Sequence, residues 1–228
     1  IMKFLAIVPA RGGSKGVKGK NLRKVGDKSL LKRAIASTAN FMDVIVSTDS
    51  HFIKEEALKV GAIVPFMRPD QLSTDNANTI DVVIHAIKEY ERLINYRYDY
   101  IFTIEPTSPF REEKHVKNVI EKIKTNKFKS VISVCNLERK PENIFLKDFF
   151  LERYIKIPNQ NFEQRQNMAH LCRLNSAIYA TNRDSLIKNK KLLIDPIGFT
   201  EMSQVESINI DSELDLRFAN FISKEFDL

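Results

Sequence analysis

The sequence predicts an α/β fold: a mainly parallel sheet flanked by helices, with a small β-rich excursion in its second half. Three observations predict it. Short apolar runs alternate with segments of helical period as far as Val134, the order expected of right-handed βαβ units. The first apolar run leads straight into a loop rich in glycine and basic residues, the place where open α/β sheets bind ligands. The chain has 228 residues and is 43% hydrophobic, enough for one domain spanning residues 1–228 to bury a core.

Each element follows from its local pattern. Lys3 to Val8 is a continuous apolar strand stopped by Pro9, as expected of a strand covered on both faces. Residues 29–39 have helical period, and Asp43 to Ser47 is the next strand. Ile53, Ala57, Leu58 and Val60 mark a helix that stops at Gly61, and Ile63-Val64 suggests a strand. Ile80, Val83, Ile84, Ile87 and Ile94 line one face of a long helix, with Asn78 and Asp81 as its capping pair. Tyr100 to Ile104 is a strand, residues 112–125 a helix, and Val131 to Val134 a strand. Residues 136–170 have no clean period and form the excursion, expected to cover the site or reach a partner subunit. Asn175 to Ala180 and Val205 to Ile210 read as strands, and Ser212 to about Phe226 as a closing amphipathic helix.

Composition excludes several classes. The apolar content excludes disorder, and two cysteines are too few for a disulfide scaffold. No apolar run approaches the ~18–20 residues of a membrane span. A strand-like run rather than a secretory leader follows Ile1-Met2, where Ile1 reads as a cloning remnant. The expectation is a soluble cytoplasmic protein in which Cys135 and Cys172 are buried, reduced thiols. His51, His85, His115 and His170 show no metal-ligand spacing.

Charge is local. Residues 11–33 carry nine basic side chains against the single acid Asp27, so this stretch is +8 in a chain of net +7. Five of the seven glycines lie within the first 26 residues. Proteins that grip nucleic acid along a broad face spread their basic residues over several elements. Concentration in one loop instead describes a pocket for a small, highly charged anion. In Pro9-Ala10-Arg11-Gly12-Gly13-Ser14-Lys15-Gly16-Val17-Lys18-Gly19-Lys20-Asn21, the glycines let backbone N–H groups turn towards phosphate oxygens, and Arg11, Lys15 and Lys20 supply cations. The spacing fits neither a Walker loop nor the G-x-G-x-x-G fingerprint. Gly13-Ser-Lys-Gly16 matches the GXXG of RNA-binding KH modules, a weak four-residue pattern that leaves a non-catalytic RNA-binding module as an alternative.

The ordered motifs resemble a family. Ala10-Arg-Gly-Gly-Ser-Lys-Gly16 with Lys20-Asn21 opens the series. Ser47-Thr-Asp49, Arg68-Pro-Asp-Gln-Leu-Ser-Thr-Asp75 and Glu105-Pro-Thr-Ser-Pro-Phe-Arg111 follow successive strands. Arg165-Gln166, Arg173-Leu-Asn-Ser-Ala-Ile-Tyr179 and Asn209-Ile-Asp211-Ser-Glu-Leu-Asp-Leu216 complete it. Together they resemble the cytidylyltransferases that activate nine-carbon 2-keto sugar acids: the CMP-sialic acid synthetases and their legionaminic and pseudaminic acid relatives. The resemblance spans nearly the whole chain. It implies a Rossmann-like core, transfer of CMP from CTP to the C2 hydroxyl of a nonulosonic acid, release of pyrophosphate, magnesium as cofactor and a homodimer. Another sugar nucleotidyltransferase, with a sugar 1-phosphate or a different base, is the nearest alternative.

By that resemblance, Arg11 and Lys20 hold the triphosphate and stabilise the leaving pyrophosphate, within a nucleotide site formed by Ala10, Gly12, Gly13, Ser14 and Lys15. Asn21, Arg68, Ser73, Thr74 and Asp75 are expected near the nucleoside. Glu105, Arg111, Arg165, Asn175 and Tyr179 are expected on the sugar side. Asp211, with Asn209, is the metal candidate. Without the resemblance, Asp211 reads equally well as the N-cap of the last helix, and Asp215 as a solvated helix residue. Four features depart from the family pattern. Asn209 stands for a second aspartate, Glu105 for glutamine, Ser176 for glycine, and Leu192 and Leu193 for aromatics. Three of the four concern the sugar side, so the expected acceptor differs from N-acetylneuraminate.

Overall fold

A computed structural model describes residues 2–137, 145–148, 153–156 and 172–226. In chain order the strands and helices are β1 (Phe4–Pro9), β2 (Lys24–Val25), β3 (Lys28–Ser29), α1 (Leu30–Ala36), β4 (Asp43–Ser47), α2 (His51–Lys59), α3 (Thr79–Ile94), β5 (Tyr100–Ile104) and α4 (Glu113–Lys124). They continue with β6 (Ser130–Asn136), β7 (Phe145–Asp148), β8 (Arg153–Lys156), β9 (Cys172–Asn182), α5 (Arg183–Asn189), β10 (Ile197–Met202) and α6 (Glu213–Glu225).

Six strands form one sheet in the order β10-β6-β9-β5-β1-β4. β1 pairs parallel with β4 and β5, and β10 pairs parallel with β6, while β9 runs antiparallel between β5 and β6. The sheet is therefore Rossmann-like and mainly parallel, with one reversed strand. Alternate residues of β1 enter two different cores. Ala6 and Val8 join Phe102, Ile104 and the inner face of α4 (Val116, Val119, Ile120, Ile123). Leu5 and Ile7 join Ile45, Ile101 and the inner face of α3 (Ile80, Val83, Ala86, Ile87). A third cluster packs Val17 of the basic loop and Phe110 against Ile210, Leu216, Ala219 and Ile222, so α6 is held directly on that loop.

The sequence expectations for β1, β4, α2, α3, β5, α4, β6 and α6 hold to within a few residues. Gly61, in the left-handed region at φ 83°, ends α2 as expected. Several expectations need correction. Ile63 makes only an isolated parallel bridge to Ile45. Ile94, at the last turn of α3, is exposed, and the Asn78 cap accepts from Ile80 N–H. Val205 to Ile210 is not a strand. Ser207 N–H bonds back to Ser203 and Gln204 carbonyls, curling the segment into turns. The missing strand is β10, where Gly198, Thr200 and Met202 face inward and Phe199 and Glu201 outward. A glycine and a threonine on the inner side hide it from any count of apolar residues. Cys172 is exposed, not buried. Within residues 136–170, the described part beyond the end of β6 is the antiparallel hairpin β7–β8.

Candidate functional site

A cleft of about 450 Å³ opens at the carboxyl ends of β1 and β5. Ten of the expected residues line it: Arg11, Ser14, Lys15, Lys20, Asn21, Arg68, Thr74, Asp75, Glu105 and Asp211. The basic loop leaves β1, crosses beneath α6 and returns through a turn of 3₁₀ helix at Lys20–Leu22. Its path requires Gly16. A Cβ there would sit 2.1 Å from the Asp211 carbonyl oxygen, so only a residue without a side chain fits.

The cations are held by anions of the protein. Asp75 receives Arg11 Nη2 at 2.8 Å and Lys15 Nζ at 2.5 Å. Lys15, with Arg11 second, holds the Asp75 carboxyl below the usual carboxylate range. Lys20 Nζ donates to the Ile210 carbonyl at 3.0 Å and to Asp211 Oδ1 at 3.3 Å. Arg68 is buried, and its Nε and Nη2 donate to Ser47 Oγ and the Ser47 carbonyl. Burial pulls its pKa down to about 10, with Asp49 and Glu105 acting the other way. The Glu105 carboxyl sits in the cleft wall, where burial pushes it up to about 7 despite Arg111, Lys20 and Arg68.

Other expected residues stand behind this surface. Ala10 is buried and donates its N–H to the Ser47 carbonyl. Asn21, which does line the cleft, is largely buried, and its Nδ2 donates to the Arg11 carbonyl at 2.9 Å, so this amide also holds the loop in shape. Ser73 Oγ donates to the Pro69 carbonyl. A Cβ on Gly13 would meet nothing within 4 Å, which leaves that part of the loop open.

On the sugar side the geometry differs from expectation. Arg111 is buried behind the cleft, with Nε on Ser37 Oγ and Nη1 on the Glu105 and Ala177 carbonyls. Asn175 is buried too. Its Oδ1 accepts from Ser133 Oγ and Ala177 N–H, and its Nδ2 donates to Ser207 Oγ. These bonds tie β9 to β6 and to the segment before α6, which makes Asn175 a structural strut here. Tyr179 lies off the cleft and donates its hydroxyl to Ser176 Oγ at 3.2 Å. Ser176 itself has φ 61°, a left-handed conformation at the position where the resemblance expects glycine. Arg165 lies outside the described residues.

The start of α6 separates two readings of Asp211. Ser212 is the N-cap, and Asp215 is its capping-box partner, accepting from the N–H groups of Asp211 and Ser212. Asp215 is thus part of the cap rather than a free surface residue, and Asp211 is left to face the cleft. Asn209 Nδ2 donates to Asp211 Oδ2 at 2.6 Å, while Asn209 Oδ1 is buried without a hydrogen-bond donor. A magnesium ion at this end of the cleft would be held by Asp211, with water and substrate phosphates as its other ligands; Asn209 turns its amide nitrogen to that carboxylate and would have to turn over for its unpartnered oxygen to join. No group of three or more His, Cys, Asp or Glu suited to a metal occurs among the described residues.

Sequence reasoning gave no role to Asp49, whose Oδ1 accepts from Gly12 N–H at 2.7 Å and pins the loop to the end of β4. Its position just past a strand end was the available signal. Nor did it find Thr79 and Val82, which bring the first turn of α3 to the cleft rim.

A Rossmann-like sheet with a glycine-rich cationic loop at its carboxyl edge defines a protein that binds phosphorylated ligands. Residues 5–205 match the family described as Cytidylyltransferase, and the chain belongs to that family of nucleotidyltransferases. It is 31% identical over 220 residues to a CMP-N,N'-diacetyllegionaminic acid synthase of Legionella pneumophila, covering 94% of this chain and 93% of that protein. It is 30% identical to the post-translational flagellin modification protein B of Campylobacter coli, covering 99% and 97% respectively. An N-acylneuraminate cytidylyltransferase of Escherichia coli is 29% identical over 98% of this chain but only 52% of its own length. Among solved structures, a CMP:2-keto-3-deoxy-manno-octonic acid synthetase superposes with a TM-score of 0.71 at 14% identity, covering 98% of this chain and all of that one, which supports the fold.

Proposed function

We infer that the chain transfers CMP from CTP to the C2 hydroxyl of a nonulosonic sugar acid and releases pyrophosphate. The observation that carries this reading is the convergence of Arg11, Lys15 and Lys20 on one cleft that also holds Asp211 and, behind it, the unpartnered oxygen of Asn209. Relatives named for legionaminic acid and N-acylneuraminate support the acceptor class. In this reading the loop N–H groups and Arg11 bind the triphosphate, and Lys20 stabilises charge that builds on the departing pyrophosphate. Arg68, anchored on Ser47, lines the nucleoside end. Asp211 and Asn209 hold magnesium, which when bound neutralises phosphate charge. The sugar-acid site lies on the Glu105 side of the cleft, and a second copy of the chain completes it in a cytoplasmic homodimer. Among the described residues no helix is long and apolar enough to cross a membrane.

A matrix of the four nucleoside triphosphates against several sugar acids, with magnesium, tests the reading through pyrophosphate release. CTP paired with a nonulosonic acid other than N-acetylneuraminate is expected to give the fastest turnover. Equal kcat/KM for N-acetylneuraminate and its relatives removes the proposed acceptor preference. Turnover only with sugar 1-phosphates removes the acceptor class.

A further inference from the structure

Transfer of a nucleotidyl group to a hydroxyl leaves a proton to be placed. The described residues lining the cleft include no histidine, and its arginines and lysines are hydrogen-bond donors without an acceptor. Three carboxylates line it: Asp75, Glu105 and Asp211. Asp75 is closed by ion pairs from Arg11 and Lys15. Asp211 accepts from Lys20 on one oxygen and Asn209 on the other. Glu105 alone of the three has no hydrogen bond or ion pair on its side chain among the described residues, although its carbonyl is fixed by Arg111 Nη1 at 2.9 Å.

We propose that Glu105 is the general base of the transfer, taking the proton of the attacking sugar hydroxyl. The assignment rests on the transfer reading above. A lone pair of the hydroxyl oxygen forms the new bond to the α-phosphorus. The bond from that phosphorus to the bridging oxygen breaks, and its electron pair leaves with pyrophosphate. The hydroxyl proton moves to a Glu105 carboxylate oxygen and passes to water once product departs.

The surroundings suit the task. Burial lifts the Glu105 carboxyl to about 7; Asp211 adds to the rise, and Arg111, Lys20 and Arg68 oppose it. A base of that strength is half ionised near neutral pH and still takes a proton readily. Glutamine, which the family resemblance leads one to expect at this position, accepts no proton and could not take this role.

The test is steady-state pyrophosphate release by the wild type, Glu105→Gln and Glu105→Asp between about pH 5 and 9. CTP and magnesium are supplied with N,N'-diacetyllegionaminic acid, pseudaminic acid or N-acetylneuraminate as acceptor. Only the ionised carboxylate accepts a proton, so wild-type kcat is expected to fall as pH drops through about 7. Glu105→Gln is expected to lose ~10²-fold or more in kcat and to lose that acidic limb, with the KM for CTP within about threefold. Glu105→Asp is expected to recover part of the rate and to keep a limb. A Glu105→Gln protein with near-normal kcat, an intact limb, or a defect confined to the KM for sugar overturns the assignment and leaves the transfer reading standing. Absence of pyrophosphate release by the wild type with every acceptor overturns both. Stabilisation by CTP in thermal melts checks that each variant is folded. Should Glu105→Gln not fold, Glu105→Asp with unchanged kcat and limb overturns the assignment.

Discussion

Lys20 reaches from the basic loop to the Ile210 carbonyl and the Asp211 carboxylate, linking the two ends of the chain at one ammonium group. Arg11 makes a comparable reach to Asp75. Both end in the cleft, so Arg11→Ala and Lys20→Ala are each expected to slow turnover at least ~10²-fold, as for lost charge stabilisation. Near-normal kcat in either variant removes that residue from the catalytic role. Legibility at this scale divided along a physical line. Arg11, Lys15 and Glu105 could be located because each follows a strand end in an α/β sheet, and strand ends converge. Asn175 and Arg111 could not, because a polar side chain near a site looks the same in sequence whether it faces ligand or satisfies buried carbonyls and hydroxyls. Only the positions of Ser133, Ser207 and Ala177, distant in sequence, decide that.

Among the elements, the start of α6 has the sharpest consequence. Ser212 carries the cap and Asp211 faces the cleft, so their variants are expected to fail differently. Ser212→Ala removes the cap bond to Asp215 N–H and is expected to cost about 1 kcal/mol, read as a lower Tm, with the magnesium titration unchanged. Asp211→Asn gives up the ion pair of an exposed carboxylate and keeps one oxygen to accept from Asn209, so its Tm is expected to change little while its magnesium requirement rises. A lower Tm with an unchanged magnesium titration in Asp211→Asn returns that residue to a helix-end role. Strands with both faces covered, such as β4 and β5, were legible because continuous apolar runs leave few other solutions. β10 was not, since its inner face is built from Gly198, Thr200 and Met202, and Val205 to Ile210 resembled a strand while curling through serine-assisted turns.

At the level of the whole molecule, one buried histidine and one half-buried one set a lower pH bound on stability. His115 is 2% exposed. Its Nδ1 accepts from Glu112 N–H, and its Nε2 lies 3.2 Å from Glu206. Burial holds its pKa below 6.5, and burial does the same to His85. The unfolded chain therefore takes up protons first as pH falls. The stabilisation is complete above about pH 6.5 and is lost progressively below it. Glu206 is held near 2: burial works against its ionised form, but hydrogen bonds from Lys114 and Ser203 outweigh it. Its contribution is present above about 4.5 and is lost at lower pH, with the same sign. Thermal melts are expected to show a lower Tm at about pH 5 than at about pH 7.5, with a smaller difference in His115→Gln. A flat profile contradicts the burial of these groups. Because Glu206 belongs to the segment that leads to Asn209 and Asp211, loss of its hydrogen bonds below about pH 4.5 is expected to loosen that end of the cleft.

Asp75, bridging Arg11 and Lys15, gives the cleft a counterion of its own. A ligand entering there does not meet bare positive charge; it must take the place of an anion already seated. Chloride or a single phosphate gains little from that exchange, because each gives back about what it takes. A polyphosphate that reaches Arg11, Lys15 and Lys20 together gains on every contact beyond the first. The most basic stretch of the chain thereby discriminates among anions by how many cations each can span.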